Sequence, residues 1–378
     1  MEDFSEILRM DNLLSDEFAD YLSPLSRFLL GRTDVVPDVN GATADDLVKM
    51  REDLRAKFGD DKPGLEFCVI ALGRLASNRF ACKSQGFPAI NLTLEKLSNA
   101  ISQKLPIIFT FGFGGYKNHN SPEYPEPGWA EFFAIKHLIK YLGPIIKNYQ
   151  HGVIVEFESE EICVQFNNVP QSGTDKYTAA FKKLLQYFSD KTGADLHFVI
   201  SREQYPGGAQ ALYDLMEQKT AEHEKAFSEL SPDQQTKWIQ RAENNFMIKG
   251  TKDYTNATPA EIAAVAKQVR IMNEVFLDAD YILRAEYWDQ ENRVVICGTW
   301  GIMPSAFPVE LALHIMSTSS SLTDFWIGTG VLNGTHENIL SKTQFDAVKD
   351  KIQYVDVDSD LKFISDNFKK IPVLNIKL

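Results

Sequence analysis

Alternating blocks of apolar and polar residues between positions 106 and 202 predict strands and helices in strict succession. Ile107–Phe111 is a short β-branched and aromatic run, which is typical of a buried strand. Trp129–Leu142 repeats its apolar residues every three or four positions, which predicts a packed helix. Gly152–Phe157 predicts a second strand, so this stretch resembles the unit from which open parallel sheets are built.

The same alternation continues beyond the second strand. Asp175–Ser189 carries an apolar helical face, and Asp195–Ile200 predicts a third strand. Right-handed crossovers would place the three strands in one parallel sheet. We therefore expect an α/β fold with a Rossmann-like, mostly parallel sheet flanked by helices.

The pattern of apolar and polar residues divides the whole chain into four regions. They are a helical N-terminal region packed on the core (1–105), the βαβαβ core (106–202), a helical insertion (203–280) and a β-rich extension (281–378). The insertion contains a capping box at Thr258–Glu261 that leads into a predicted helix, Ile262–Phe276. We expect the extension to complete the same domain. Its predicted strands are Tyr281–Tyr287, Arg293–Cys297, Glu310–Met316, Phe325–Val331 and Val373–Lys377, and its predicted helices are Phe345–Ile352 and Leu361–Phe368. In the N-terminal region, Glu66–Phe80 is open between strand and helix, with helix favoured.

The composition limits the classes of function that this chain could have. The chain has 378 residues, 44% of them hydrophobic and 24% charged, which is ordinary for a globular protein with a core. The net charge of −13 would repel nucleic acid. Four separated cysteines, no apolar leader and no membrane-spanning run predict a cytoplasmic protein that does not contact membranes. Since no metal-ligand motif is present, we expect no metal and no cofactor.

A glycine-rich loop follows the first predicted strand and is the first candidate site. Gly114 and Gly115 free the backbone, and Lys117 and Asn120 offer a cation and an amide, so the loop could hold a phosphate or carboxylate. The loop lacks the spacing of a dinucleotide fingerprint and of a P-loop. The alternative is a tight turn that needs glycine for its backbone alone, with Lys117 in solvent.

Three further residues are candidates for chemistry or binding. Glu131 could be a general base, or an ordinary first-turn acid favoured by the helix dipole. His119 lies in the loop and could titrate near neutral pH. Arg284 lies among apolar residues, where it is either paired with an acid or presented to an anionic ligand.

The order of several short motifs resembles the pyoverdine/dityrosine biosynthesis proteins, a family that includes isocyanide synthases. Tyr116–Pro122 is similar to that family's Phe-Lys-Ser-Pro-Asn stretch, and Pro127–Glu131 to its Pro-Asp-x-x-Glu segment. Leu283–Ala285 resembles its Ile-Arg-Leu strand. This chain departs from the family by having Gly128 where the aspartate stands and Trp288 where a histidine stands.

The resemblance implies an enzyme that joins the amine of an amino acid to the carbonyl carbon of ribulose 5-phosphate and finally leaves an isocyanide. Under that hypothesis Lys117 and the loop amides would hold the phosphate, Glu131 would be the acid/base group, and Arg284 would clamp the amino acid carboxylate. The partners would be these two small molecules; the oligomeric state is left open. A non-catalytic Rossmann-like protein that binds a small anion, and an interaction module that meets a basic partner, are the alternatives from other classes.

Overall fold

The computed structural model describes residues 52, 55–56, 90–117, 121–159, 170–239, 257–283, 290–297, 300–301, 328–333, 336–340 and 342–374. The predicted elements Glu66–Phe80 and Glu310–Met316 lie outside these residues. The helices are α1 (Ile90–Gln103), α2 (Trp129–Asn148), α3 (Gln171–Thr192), α4 (Ser201–Gln204), α5 (Gly208–Ser228), α6 (Pro259–Leu283) and α7 (Lys342–Val348). Helical residues also cover 232–239. No helix in these ranges is both long and apolar enough to cross a membrane.

A five-stranded sheet with the order β3-β2-β1-β4-β5 organises the first part of the fold. Its strands are β1 (Ile107–Phe113), β2 (Val153–Ser159), β3 (Asp195–Ile200), β4 (Arg293–Cys297) and β5 (Trp300–Gly301). The first four run parallel and β5 is antiparallel to β4. The predicted mostly parallel, Rossmann-like sheet flanked by helices is therefore confirmed.

Strand order reverses direction at β1. The chain passes from β1 through α2 to β2 and through α3 to β3, and it then returns to place β4 on the opposite side of β1. In open parallel sheets, ligands bind beyond the carboxyl ends of the strands at such a switch point. The segment that leaves the carboxyl end of β1 is therefore the best-placed part of this sheet for a site.

Aromatic packing attaches α3 to one face of the sheet and α2 to α3. Phe157 of β2 meets Phe181 of α3 edge-on, with ring centroids 5.6 Å apart, and Phe132 of α2 lies 5.0 Å from Phe188. The apolar face predicted for α3 is buried in full: Tyr177, Phe181, Leu184, Leu185 and Phe188. The helical spacing of the apolar residues therefore determines which sides of α2 and α3 face the interior of the protein.

The opposite face of the sheet carries a buried polar group that we name the Arg293 cluster: Thr110, Glu156, Gln290 and Arg293. The Nη1 group of Arg293 donates to the carboxylate of Glu156 and, over 2.6 Å, to the hydroxyl of Thr110. Gln290 accepts from Arg293 Nε and Nη2 at 3.3 and 3.2 Å. Arg293 is only 3% exposed, so the side chains of this cluster connect β1, β2 and β4 through buried hydrogen bonds.

Helix α6 is longer than the sequence prediction. The capping box forms as predicted, since Glu261 accepts the Thr258 N–H at 2.8 Å. The helix then continues to Leu283, so the predicted strand from Tyr281 is wrong at its first three residues. Ile271, Val275 and Ala279 keep one apolar face, which packs against α5, and this burial favours continued helix over a strand.

The β-rich end of the chain forms a second sheet with the order β7-β6-β9-β8. Its strands are β6 (Thr329–Asn333), β7 (His336–Leu340), β8 (Ile352–Asp356) and β9 (Lys370–Leu374). The predicted helix Leu361–Phe368 is instead two short 3₁₀ turns, Asp360–Phe363 and Asp366–Phe368. Ser365 separates the two turns, because it is the N-cap of the second and its hydroxyl accepts the Asn367 N–H at 3.1 Å.

The second sheet packs on the start of α2. A Cβ atom at Gly330 of β6 would lie 2.4 Å from the backbone N of Ala130, so β6 touches the backbone of the helix. Trp129 Nε1 donates to the carbonyl of Lys370 at 2.8 Å. Asn367 Nδ2 lies within hydrogen-bonding distance of three carbonyls in the preceding loop, those of Glu123, Glu126 and Pro127. The C-terminal sheet therefore sets the position of the loop that enters α2.

Candidate functional site

The chain leaves β1 through a turn that requires glycine. Gly115 has a φ of +71°, and a Cβ there would lie 1.8 Å from the Ser159 hydroxyl oxygen at the end of β2. The glycine therefore serves the turn and the close approach of two strand ends. Tyr116 and Lys117 follow, and both are turned into the protein, with Lys117 only 1% exposed. The predicted alternative of a solvated Lys117 is thus wrong.

Lys117 meets Glu131 inside the fold. Lys117 Nζ donates to both oxygens of the Glu131 carboxylate, each at 3.0 Å. Glu131 lies in the first turn of α2, and its Oε2 accepts the Gly128 N–H at 2.8 Å. Tyr177 of α3 donates its hydroxyl to Glu131 Oε1 at 3.3 Å. Glu131 is therefore both a helix-capping acid and the centre of a fully buried polar group.

Glu123 supplies a second carboxylate to the same cation. Its Oε2 lies 2.6 Å from Lys117 Nζ, and its Oε1 accepts the Trp129 N–H at 3.1 Å. We name Lys117, Glu123, Glu131 and Tyr177 the Lys117 cluster. Sequence reasoning missed Glu123, because it lies in a proline-broken loop with no periodic relation to either partner. The only signal was an acid a few residues ahead of a predicted helix.

The position of Glu123 explains why residue 128 is glycine. A Cβ at Gly128 would lie 2.4 Å from both Cδ and Oε1 of Glu123, so the Glu123 carboxylate occupies the space that a side chain at 128 would need. The carboxylate that contacts Lys117 at this point is therefore contributed from five residues before Gly128 in the loop.

The Lys117 cluster has two carboxylates for one ammonium group. Burial, opposed by the charge of Lys117 and reinforced by that of Glu123, raises the pKa of Glu131 to about 7. Burial lowers the pKa of Lys117, but the charges of Glu123 and Glu131 outweigh it and raise that pKa overall. Burial and then the charge of Glu131 raise the pKa of Tyr177. Lys117 and Tyr177 thus keep their protons, while Glu131 gains or loses one near neutral pH.

A second buried polar group lies at the carboxyl ends of β2 and β3. The hydroxyl of Ser201 lies within hydrogen-bonding distance of the Glu158 carboxylate and 2.6 Å from the Ser159 carbonyl. All three residues are buried. These polar side chains join the Lys117 cluster at the edge of the sheet where ligands of parallel folds bind.

The structure brings together four of the seven predicted site residues. Gly114 and Gly115 form the buried turn, and Lys117 and Glu131 form the ion pair. The predicted residues His119, Asn120 and Arg284 lie outside the described residues, so their contribution stays a prediction. In the described part of the chain, no group of three His, Cys, Asp or Glu residues is arranged to hold a metal ion.

A cavity of about 330 Å³ opens between the start of α2 and the second sheet. Glu123 is the member of the Lys117 cluster that lines it. The other lining residues are Pro122, Trp129, Thr329, Tyr354, Asp366, Asn367, Lys369, Lys370 and Pro372. The Glu123 carboxylate therefore both lines the cavity and contacts Lys117.

Comparison with known proteins gives a likeness of fold. No protein-family profile matches the sequence, and no curated protein matches it. The fold is similar to the crystal structure of the PvcA protein from Pseudomonas aeruginosa, with a TM-score of 0.54 and 11% sequence identity. The similarity covers 75% of this chain and 90% of that one. It supports a distant resemblance to the pyoverdine/dityrosine biosynthesis proteins at the level of the fold.

Proposed function

We propose that this protein is a small-molecule biosynthetic enzyme related to isocyanide synthases, which joins the amine of an amino acid to a phosphorylated ketose such as ribulose 5-phosphate. The observation that carries the proposal is the state of Glu131. A carboxyl group with a pKa of about 7 can both accept and donate a proton at neutral pH. Glu131 also follows the carboxyl end of β1, at the switch point of the sheet, where ligands of parallel folds bind.

The first step of this reaction needs one group that moves a proton in both directions. The amine nitrogen attacks the ketone carbon, and a base takes a proton from that nitrogen and passes it to the former carbonyl oxygen, which gives the neutral carbinolamine. An acid then protonates the carbinolamine hydroxyl, which leaves as water, and the resulting iminium ion returns a proton to the conjugate base to give the imine. Glu131 performs both roles in our proposal, and Tyr177 and Lys117 hold its carboxylate in a fixed orientation.

The phosphate role proposed for Lys117 meets a constraint from its surroundings. Its ammonium group already contacts two carboxylates, at 2.6 and 3.0 Å, and its side chain is not exposed. A phosphate contact would require one carboxylate to move away or be protonated. Asn120 and the loop amides are then the better candidates for the phosphate, with Arg284 for the amino acid carboxylate.

One observation favours the alternative of a non-catalytic protein that binds a small anion. Neither Lys117 nor Glu131 exposes any of its side chain, as is expected of an ion pair that serves the fold. A ligand that raises the melting temperature without being consumed would support this alternative.

Incubation with ribulose 5-phosphate and each amino acid in turn, followed by mass spectrometry, tests the proposed reaction. We expect consumption of both substrates by the native protein and at least a hundredfold slower consumption by Glu131→Gln, the usual size of a general acid/base contribution. Asp358→Asn, an exposed carboxylate near the second sheet, is the matched control and should react like the native protein. If the native protein consumes neither substrate, this assignment is wrong.

A further inference from the structure

The cavity beside α2 has a buried, acidic floor. Glu123 and Thr329 are 6% and 3% exposed there, and the Glu123 carboxylate faces Lys117 with its Oε2. Each carboxylate oxygen has two lone pairs, so Glu123 can accept further hydrogen bonds from a ligand. The Thr329 hydroxyl offers another acceptor. The floor is therefore built to receive a hydrogen-bond donor.

The charges at the mouth of the cavity pair with one another. Lys369 Nζ lies 2.8 Å from Asp366, and Lys370 Nζ lies 3.7 Å from Asp356. These residues are more than half exposed, so solvent screens them as well. The floor, which is shielded from solvent, therefore sets the potential inside the cavity.

The floor carries a net negative charge when Glu131 is ionised. Glu123 and Glu131 then present two carboxylates to the single ammonium of Lys117, and the fourth member of the cluster, Tyr177, stays neutral. A cation that enters the cavity gains from this excess charge, and an anion is repelled.

The walls of the cavity are apolar and partly aromatic. The side chain of Tyr354, on β8, is large and hydrophobic and is 54% exposed. Pro122 and Pro372 also line the cavity. An aromatic face attracts an ammonium group and stacks on a flat apolar body. The volume lies at the small end of ligand pockets, which measure roughly 300–1,000 Å³.

We propose that this cavity is a binding site for a small organic ammonium ion with a flat apolar body, of the arylalkylamine class. The ammonium group contacts Glu123 and Thr329, and the apolar body lies against Tyr354. Glu123 then links the ligand to Lys117 on its other side. This inference is independent of the proposed reaction, because its test measures binding in the absence of ribulose 5-phosphate.

Titration calorimetry with 2-phenylethylammonium tests the site, and 3-phenylpropionate is the probe of similar shape and opposite charge. We expect the ammonium to bind at least tenfold more tightly than the carboxylate. We also expect its binding to tighten about tenfold from pH 6 to pH 8.5, because Glu131 ionises and adds one negative charge behind Glu123. Lys117, Glu123 and Tyr177 are the charged and titratable groups that face Glu131, and the raised pKa values of Lys117 and Tyr177 keep both protonated over this range.

Tyr354→Ala and its control separate a loss of binding from a loss of folding. Tyr354→Ala removes the exposed wall without touching a buried group, and Phe363→Ala is its control, since Phe363 is 74% exposed and lies outside the cavity. We expect weaker ammonium binding in Tyr354→Ala and Glu123→Gln and native binding in Phe363→Ala. Equal affinity for the two probes, or native affinity in Tyr354→Ala, would overturn the proposal.

Discussion

Two buried ionic clusters in the described part of the chain differ in their charge balance: one joins strands of the central sheet, and the other joins the loop after β1 to α2 and α3. In the Arg293 cluster, the described contacts pair one guanidinium with one carboxylate, and neutral groups of Thr110 and Gln290 complete the set. In the Lys117 cluster, one ammonium serves two carboxylates. The first arrangement stabilises strand pairing. The second leaves one carboxyl group with a pKa of about 7, which is a property that chemistry can use.

Removing the cation should have the largest effect on the free energy of unfolding, and the size of this effect should differ between the two clusters. Lys117→Met leaves two buried carboxylates side by side, so we expect it to lower the free energy of unfolding at pH 8 by about 5 kcal/mol. Arg293→Met leaves one, and we expect about 3 kcal/mol. Chemical denaturation of both variants measures this. Equal losses would show that the charge imbalance does not matter to stability.

The pH dependence of stability should come next in size. The pKa of Glu131 is about 7 in the folded protein and 4.5 in a solvated chain, so the folded state binds the proton more tightly. Stability should therefore fall by about 3 kcal/mol as the pH rises from 4.5 to 7 and should not change further on this account. Glu131→Gln should remove this decline, as seen in denaturation curves at several pH values.

Asp358→Asn is the control for that experiment. The hydrogen bond and charge of Lys362 lower the pKa of Asp358, so this group titrates below the range in question. The variant should keep the native decline between pH 4.5 and 7. A decline that persists unchanged in Glu131→Gln would assign it to another group.

Displacing the second carboxylate should have an intermediate effect. Gly128→Ala places a methyl group 2.4 Å from the Glu123 carboxylate and should push it from Lys117, at a cost of about 2 kcal/mol. The double variant with Glu123→Ala removes the collision, so the two substitutions should be strongly non-additive. Additive losses in thermal or chemical denaturation would contradict the assigned contact.

The smallest effect should come from the tyrosine. Tyr177→Phe removes one hydroxyl that donates to Glu131 over 3.3 Å, and we expect a loss of about 1 kcal/mol. Tyr213→Phe, on α5, is the control and should be close to native. A loss above about 3 kcal/mol in Tyr177→Phe would mean that the ring, and not the hydroxyl, had been disturbed.

The central sheet was predictable because its signals are local. The apolar runs of β1 and β2 and the helical faces of α2 and α3 each follow from spacing within one segment. Helix α6 passed beyond its predicted end because its last turns are stabilised by packing on α5, a contact that no local pattern contains. Between β8 and β9 the apolar spacing predicts a helix, but the N-cap at Ser365 divides the stretch into two 3₁₀ turns.

The candidate site was predictable only in part. Lys117 and Glu131 were chosen from their positions after a strand and at a helix start, and those positions do bring them to 3.0 Å. Their burial was not evident, since a lysine in a glycine-rich loop is normally solvated. Glu123 and Gly128 form one steric unit through the fold of the loop, and no spacing rule links an acid to a glycine five residues later.

The side-chain amide of Asn367 holds the loop that carries Glu123 by three backbone carbonyls. These contacts join positions more than 230 residues apart, so a nascent chain that has not reached position 367 cannot make them. During synthesis the charged centre would thus be assembled late, after the parallel strands have already paired. A ribosome-stalled fragment that ends before position 367 would retain the parallel sheet, but the loop that carries Glu123 would not be held in place beside Lys117.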